Sequence, residues 1–346
     1  ISDLFGSTAL GARSNALGAR SIAIGAYANA TQACSMAIGF EAGSTAENSI
    51  AIGDSAKTSE ANATAVGTLA VANQTSSSAY GTEAAATGER SMAFGASAAA
   101  NKQNTTAMGT SARATGAYAS SYGTNANADA VAAMAFGSAA KATATTSIAF
   151  GTDTSATAAN SVVFGTDGSA TAEDATAVGY GSQATGVDTI AVGKSALANS
   201  LDAVAVGSDA KATAVGAIAL GDSAEASGVK SSVIGKGATA SGIQSIAFGM
   251  NAIATKLNSL AIGSNASSRN PNATAIGASA ESRQKLGGSQ SSITLGAAGN
   301  GTTDYFLPGL ANKPGESEQV NGTQYLTVDE KGHVIVGQAE VAPNVI

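Results

Sequence analysis

The chain repeats one short phrase at a constant spacing, and this repeat decides the fold. The phrase appears as Ser21-Ile22-Ala23-Ile24-Gly25, as Ser35-Met36-Ala37-Ile38-Gly39 and as Ser49-Ile50-Ala51-Ile52-Gly53. Its glycine, the coil glycine, recurs every 14 residues from Gly25 to Gly277, which is 18 steps without an insertion or deletion. A fixed period of this kind indicates an architecture in which each copy is one structural unit.

Within each copy, the residue types alternate with a period of two. The residues one and three before the coil glycine are apolar or small hydroxylic residues, as in Met92 and Phe94, and those three and five after it are small, as in Ala112 and Ala114. A period of two is typical of strands, and a glycine in every copy disfavours a helix by about 1 kcal/mol each. The sequence therefore predicts an all-β, parallel β-solenoid with two short strands in each coil. Eighteen steps of about 4.8 Å give about 86 Å of axial length.

The composition excludes several other classes of protein. Of the 346 residues only 12% are charged and 4% aromatic, there is no Trp, and 42 are Gly, so we expect a thin, repetitive core. A net charge of −7 provides no basic patch for nucleic acid. One cysteine, Cys34, excludes an intrachain disulfide. No apolar stretch reaches the length of a membrane span, so we expect no membrane insertion of this part of the chain.

A second column of small residues is expected to contact another chain. If Ile22 and Ile24 point into the coil, the alanines two before each coil glycine point out of it. A solvated column would vary toward long polar residues, whereas this one stays Ala in most copies. Close approach of a second chain explains such a column, and simple copying during repeat duplication is the alternative. The candidates for packing between chains are Ala37, Ala51, Ala93, Ala135 and Ala191.

The position four after the coil glycine is the candidate for contact with a ligand. It varies widely and includes Lys57, Arg113 and Lys141. Thr recurs two residues later, as in Thr115 and Thr143, which raises the alternative of an ice-binding ladder. The variable column beside these threonines disfavours a flat paired ladder.

No catalytic site, cofactor site or metal site is predicted. The single His333 stands beside a predicted turn with no nucleophile near it in the sequence. The stretches Gly179–Ala184 and Gly235–Ala240 match a dinucleotide-binding pattern, yet no helix is predicted after them, so the pattern lacks its structural context. We therefore predict a protein that is not an enzyme.

The repeated phrase and the small residues after it resemble the head repeat of YadA-like trimeric autotransporter adhesins, over residues of about 7 to 296. The resemblance implies a left-handed parallel β-roll that assembles as a homotrimer and is carried beyond the outer membrane on a coiled-coil stalk. It also implies display on the bacterial cell surface, through segments outside this stretch, and adhesion to a host extracellular-matrix protein, a cell-surface receptor or another surface. The alternative is a trimeric phage or other fibre shaft that serves as spacer and receptor binder.

The repeat stops near the C-terminus, which predicts a second region. Residues 1–296 form the predicted β-roll head and residues 297–346 a small β cap or connector. In the latter, Tyr325–Val328 and Val334–Val336 are expected to form a hairpin around a turn at Asp329–His333.

Overall fold

The computed structural model describes residues 6–282, 293–295, 324–328 and 334–338. The chain divides into two compact units, Ile1–Asn300 and Gly301–Ile346. Every regular element among the described residues is a β-strand, and no helix occurs among them.

In the first unit each coil contributes a first strand of three residues and a second strand of two. The first strands form a 21-stranded sheet and are Thr8–Leu10, Ile22–Ile24, Met36–Ile38, Ile50–Ile52, Thr64–Val66, Ser78–Tyr80, Met92–Phe94, Thr106–Met108, Ser120–Tyr122, Met134–Phe136, Ile148–Phe150, Val162–Phe164, Thr176–Val178, Ile190–Val192, Val204–Val206, Ile218–Leu220, Ser232–Ile234, Ile246–Phe248, Leu260–Ile262, Thr274–Ile276 and Ile293–Leu295. The second strands form the other sheet and are Asn15–Ala16, Asn29–Ala30, Gly43–Ser44, Lys57–Thr58, Val71–Ala72, Ala85–Ala86, Ala99–Ala100, Arg113–Ala114, Asn127–Ala128, Lys141–Ala142, Ser155–Ala156, Ser169–Ala170, Gln183–Ala184, Leu197–Ala198, Lys211–Ala212, Glu225–Ala226, Thr239–Ala240, Ile253–Ala254 and Ser267–Ser268.

Each strand pairs in parallel with the equivalent strand of the next coil. Ile22 lies opposite Met36 in the first sheet, and Asn29 opposite Gly43 in the second. The register is therefore one repeat throughout, and the predicted parallel β-solenoid with two short strands per coil is confirmed. The line of coil glycines also begins one copy earlier than the predicted run, because Gly11 stacks on Gly25.

Two β-turns close each coil. In the first turn, the N–H of the residue three after the coil glycine donates to the glycine carbonyl, as from Ala126 to Gly123 at 3.3 Å. The residue two after the glycine has a positive φ, 57° at Asn125, which is the requirement of a type II turn. The second turn repeats this pattern seven residues later, where Asn104 has a φ of 56°. These two columns are rich in Asn, Asp and Ser because short polar side chains tolerate this backbone region.

The serine that opens the repeated phrase closes the second turn from inside. The Ser91 hydroxyl donates to the Gly88 carbonyl at 2.6 Å, and the Gly88 N–H donates to the Ser91 hydroxyl at 3.2 Å. The same contact joins Ser35 to Gln32 and Ser245 to Gly242. A buried hydroxyl is therefore satisfied by the turn that it stabilises.

The interior of the coil contains almost only Ala, Ser and Thr. From the first strand, the side chains two before the coil glycine are buried, including Ala93 and Ala135. From the second strand, those three and five after it are buried, including Ala112 and Ala114. Since both sheets contribute small residues, the two sheets lie close together.

The predicted orientation of the first strand is wrong. Ile22 and Ile24 were expected to point inward, yet both are partly exposed on the outside while Ala23 between them is fully buried. A coil of 14 residues closes too tightly to hold an isoleucine or phenylalanine opposite the second strand. Because strand side chains alternate, moving the small column inside moves the whole large column outside.

Larger residues enter the interior only where a neighbour is reduced. Val163 and Val233 replace the usual alanine of the first strand and are fully buried. A Cβ built on Gly168, where most coils carry Ala, Ser or Thr, would lie 2.7 Å from Cγ1 of Val163. The glycine therefore makes room for the valine in that coil.

In the second unit, Gln324–Val328 pairs antiparallel with Val334–Gln338, and Leu326 lies opposite Val336. The two predicted strands of the hairpin are confirmed. The predicted turn at Asp329–His333, with His333, lies outside the described residues. The predicted boundary between residues 296 and 297 lies there too and stays a prediction.

Replacing a coil glycine should destabilise the solenoid. A Cβ on Gly81 would lie 2.5 Å from the Gly95 carbonyl oxygen, and Gly81 has a φ of +133°. We expect Gly81→Ala to reduce the free energy of unfolding by about 1–3 kcal/mol, measured by thermal or denaturant unfolding. Gly43→Ala is the control, because its Cβ would have nothing within 4 Å and its φ is not positive. Equal effects of the two changes would contradict this account of the coil glycine.

The valine and glycine of one coil should be coupled. We expect Gly168→Ala to cost about 1–3 kcal/mol, because its methyl group overpacks the interior against Val163. Adding Val163→Ala creates the pair that Ala107 and Ala112 form in another coil, so the double variant should regain most of the loss. A double-mutant cycle measures this coupling, and a double variant as unstable as Gly168→Ala alone would refute it.

Candidate functional site

The outward side chains of the first strands form a continuous apolar face along the rod. This face consists of the residues one and three before each coil glycine, and we call it the apolar face. Its exposed large residues are Leu10, Tyr80, Met92, Phe94, Phe150, Phe164, Ile190, Val206, Ile218, Ile234, Ile246, Phe248, Ile276 and Ile293.

Aromatic rings stack on one another in the middle of the apolar face. The ring centroids of Tyr122 and Phe136 lie 4.6 Å apart with the planes 8° from parallel. Phe150 follows at 5.7 Å from Phe136, and Phe164 at 5.7 Å from Phe150. The stacking follows from the fold, since equivalent residues of successive coils lie side by side. In an isolated chain about half of the Phe150 side chain, 51%, nevertheless remains exposed.

The area of the apolar face is large for a monomer. Three residues of about 3.3 Å each, over about 90 Å of stacked strands, give about 900 Å². The largest apolar patch of a typical monomer is about 300–600 Å², whereas each partner in a stable complex buries about 800 Å². The face therefore has the size and the composition of an interface.

The outward face of the second strands has the opposite character. Lys57, Arg113 and Lys141 are all exposed there, as expected from their position in the repeat. Their neighbours in the sheet are small or polar, such as Asn127, which lies between Arg113 and Lys141. Among the residues that the structure describes, only Glu89–Arg90 and Asp222–Lys236 form ion pairs, so these three cations project freely. Their role toward a ligand stays a prediction.

Hydrogen bonds between coils organise the polar surface locally. Asp129 accepts hydrogen bonds from the Thr115 hydroxyl and from the Asn127 amide, each at 2.7 Å, between the coils of Arg113 and Lys141. Elsewhere, Lys236 Nζ lies 3.0 Å from Asp222 Oδ2, and this hydrogen bond and charge lower the pKa of the Asp222 carboxyl. Both groups of side chains are exposed and shape the surface charge rather than a cleft.

The alanines expected to pack between chains lie inside their own coil. Ala37, Ala51, Ala93, Ala135 and Ala191 have no exposed surface in the single chain. A side chain without exposed surface cannot contact a second chain, so this assignment is corrected. The surface that can make such a contact is the apolar face, which sequence reasoning had assigned to the interior. Its size variation, from Val206 to Phe150 at one repeat position, was the signal for an outward column.

Features of other functional classes are missing from the described part of the chain. It holds no group of three or more His, Cys, Asp or Glu side chains that could bind a metal ion. It also contains no helix that is long and apolar enough to span a bilayer. Cys34 is half-buried at a positive-φ position of the second turn.

Comparison with known families agrees with this geometry. The model described as YadA head domain repeat (2 copies) matches eleven stretches of the chain. They are residues 5–28, 30–56, 59–84, 86–112, 100–126, 128–154, 142–167, 170–196, 198–224, 226–252 and 254–280. No curated protein matches the chain. The matched residues cover most of the solenoid and less than one repeat separates any two of them.

Proposed function

Because the chain belongs to the family of YadA head domain repeats, we propose that it is the head of a trimeric autotransporter adhesin. In this role it is displayed on the bacterial cell surface, and it attaches the cell to host matrix, to cell receptors or to other surfaces. The observation that carries the proposal is a rod with two unlike faces, one apolar and one polar.

The apolar face supports assembly of three chains. Water contact with Phe94, Phe150 and their neighbours is unfavourable by about 25 cal/mol per Å² of apolar surface. Three copies of the rod, each turning this face toward a common axis, remove it from water together. The polar second strands then face outward. Closed symmetry of this kind is the usual form of a homo-oligomer.

The polar face supports adhesion without a pocket. Each coil presents a similar outward surface, and three chains repeat it around the axis. Weak contacts per coil then add into useful avidity. Lys57, Arg113 and Lys141 are exposed on this face, at intervals of whole coils, and in this proposal they contact the ligand. The proposed action is binding alone, without a chemical step.

Charges placed on the apolar face should prevent trimer formation. We expect Met134→Glu with Ile148→Glu to give monomers, because burying unpaired carboxylates at an interface costs several kcal/mol. Light scattering of the purified chain measures the assembly. Ser155→Glu with Ser169→Glu adds the same charge to the second strands of nearby coils and should leave the trimer intact. A monomeric parent chain, or a charged-face variant that remains a stable trimer, would contradict the proposal.

Removing whole coils should shorten the head and weaken attachment in steps. We expect deletion of residues 110–165, four coils, to leave a folded trimer about 19 Å shorter, since the cut joins equivalent positions. Attachment of displaying cells to coated matrix proteins and to cultured cells should fall but persist.

The full-length triple variant Lys57→Gln, Arg113→Gln and Lys141→Gln separates charge from length. It should keep its melting temperature, because exposed unpaired side chains contribute less than about 0.5 kcal/mol, and it should attach less well. Attachment that survives both changes, but is lost when only residues 304–336 are altered, would make the repeats a spacer.

A further inference from the structure

A run of exposed aliphatic residues follows one edge of the rod over six consecutive coils. These residues occupy the second turn, eight after the coil glycine, and we call them the aliphatic ridge. Their side chains are 41% to 52% exposed. The ridge comprises Val187, Leu201, Val215, Val229, Ile243 and Leu257. Five steps of about 4.8 Å make it about 24 Å long.

The fold does not require aliphatic residues at this position. The same column in the six coils from Gly25 to Gly95 carries Ala33, Glu47, Ala61, Thr75, Glu89 and Gln103. The turn is built in the same way in both regions: the Glu47 carbonyl accepts from Asn62 N–H at 3.1 Å, and the Leu201 carbonyl from Gly216 N–H at 2.9 Å. Coil formation therefore leaves this side chain free, and the ridge needs another cause.

The ridge extends the apolar face around one edge only. The second turn leads directly into the first strand, so Val187 precedes Ile190 of the apolar face by three residues. The first turn, at the opposite edge of these coils, carries polar residues next to the coil glycine. They are Lys194, Ser208, Asp222, Lys236 and Ser264, interrupted by Met250. The rod is thus apolar on one face and one edge, and polar on the other face and the other edge.

We propose that the aliphatic ridge packs against the neighbouring copy of this chain. This inference rests on the proposed trimer. A three-fold ring uses a heterologous contact, in which each copy offers two different surfaces to its two neighbours. Rods with one apolar and one polar edge suit such a ring: the apolar edge is covered by the next copy and the polar edge stays in water. Continuity with the apolar face favours a second copy over an unrelated partner as the occupant.

Accessibility of single cysteines tests the placement of the ridge. In a Cys34→Ser background, which introduces the residue that Ser76 shows at the same repeat position, Val215→Cys marks the ridge and Lys194→Cys marks the opposite edge. We expect a maleimide to label the ridge thiol at least about tenfold more slowly in the native trimer, because interface cores exclude water. Both thiols should react alike in the denatured chain.

Lysines on the ridge test its contribution to assembly. Leu201→Lys, Val215→Lys and Val229→Lys together should raise the concentration at which the trimer dissociates by about tenfold or more, since charged side chains are depleted from interface cores. The matched control, Ala33→Lys, Ala61→Lys and Thr75→Lys, adds the same charge at the same repeat position outside the ridge and should leave dissociation unchanged.

The outcomes distinguish the ridge from the trimer itself. A parent chain that is monomeric in light scattering overturns the trimer and this inference with it. A trimeric parent whose Val215→Cys thiol reacts as fast as Lys194→Cys overturns the inference alone, and leaves the ridge open to a different partner. A slowly reacting thiol together with weakened assembly of the ridge lysine variant supports it.

Discussion

The closeness of successive and opposite strands within a 14-residue coil is the constraint on which the rest of this structure depends. Along the axis, each coil glycine meets the carbonyl oxygen of the next one, so that a Cβ at Gly81 would lie 2.5 Å from Gly95 O. Across the coil, the two sheets leave room for Ala93 opposite Ala112, and for a valine where Gly168 gives way. Backbone hydrogen bonds between coils supply the continuity, and small side chains permit it.

The same constraint produces the interaction surfaces. An interior restricted to small residues cannot accept Phe150 or Ile218, so the hydrophobic side chains of the repeat lie outside and form a face too large for a solitary chain. The order of a conventional globular domain, large residues inside and small ones outside, is inverted. Stability and association are therefore coupled in the trimer proposed here, because burying the large residues is left to neighbouring chains.

The identity of inward positions could have been inferred from size variation rather than from hydrophobicity. At one before the coil glycine, successive coils carry Tyr122, Phe136 and Phe150, and later ones Val192 and Val206. A packed interior resists such changes of volume, whereas the column two before the glycine stays Ala with few exceptions. Hydrophobicity pointed to the wrong column because the usual rule assumes a core wide enough for large side chains.

The sequence by itself determined the period, the all-β class, two strands per coil, their parallel stacking and the exposed place of Lys57, Arg113 and Lys141. These follow from alternation and spacing, which are local properties of the chain. Only the tertiary structure decided which side of the first strand is buried, that Gly11 begins the stack, and that Val187 to Leu257 lie in one ridge beside the apolar face. Those facts depend on the distance between the two sheets and on the alignment of residues 14 apart, and neither is a property of any one strand.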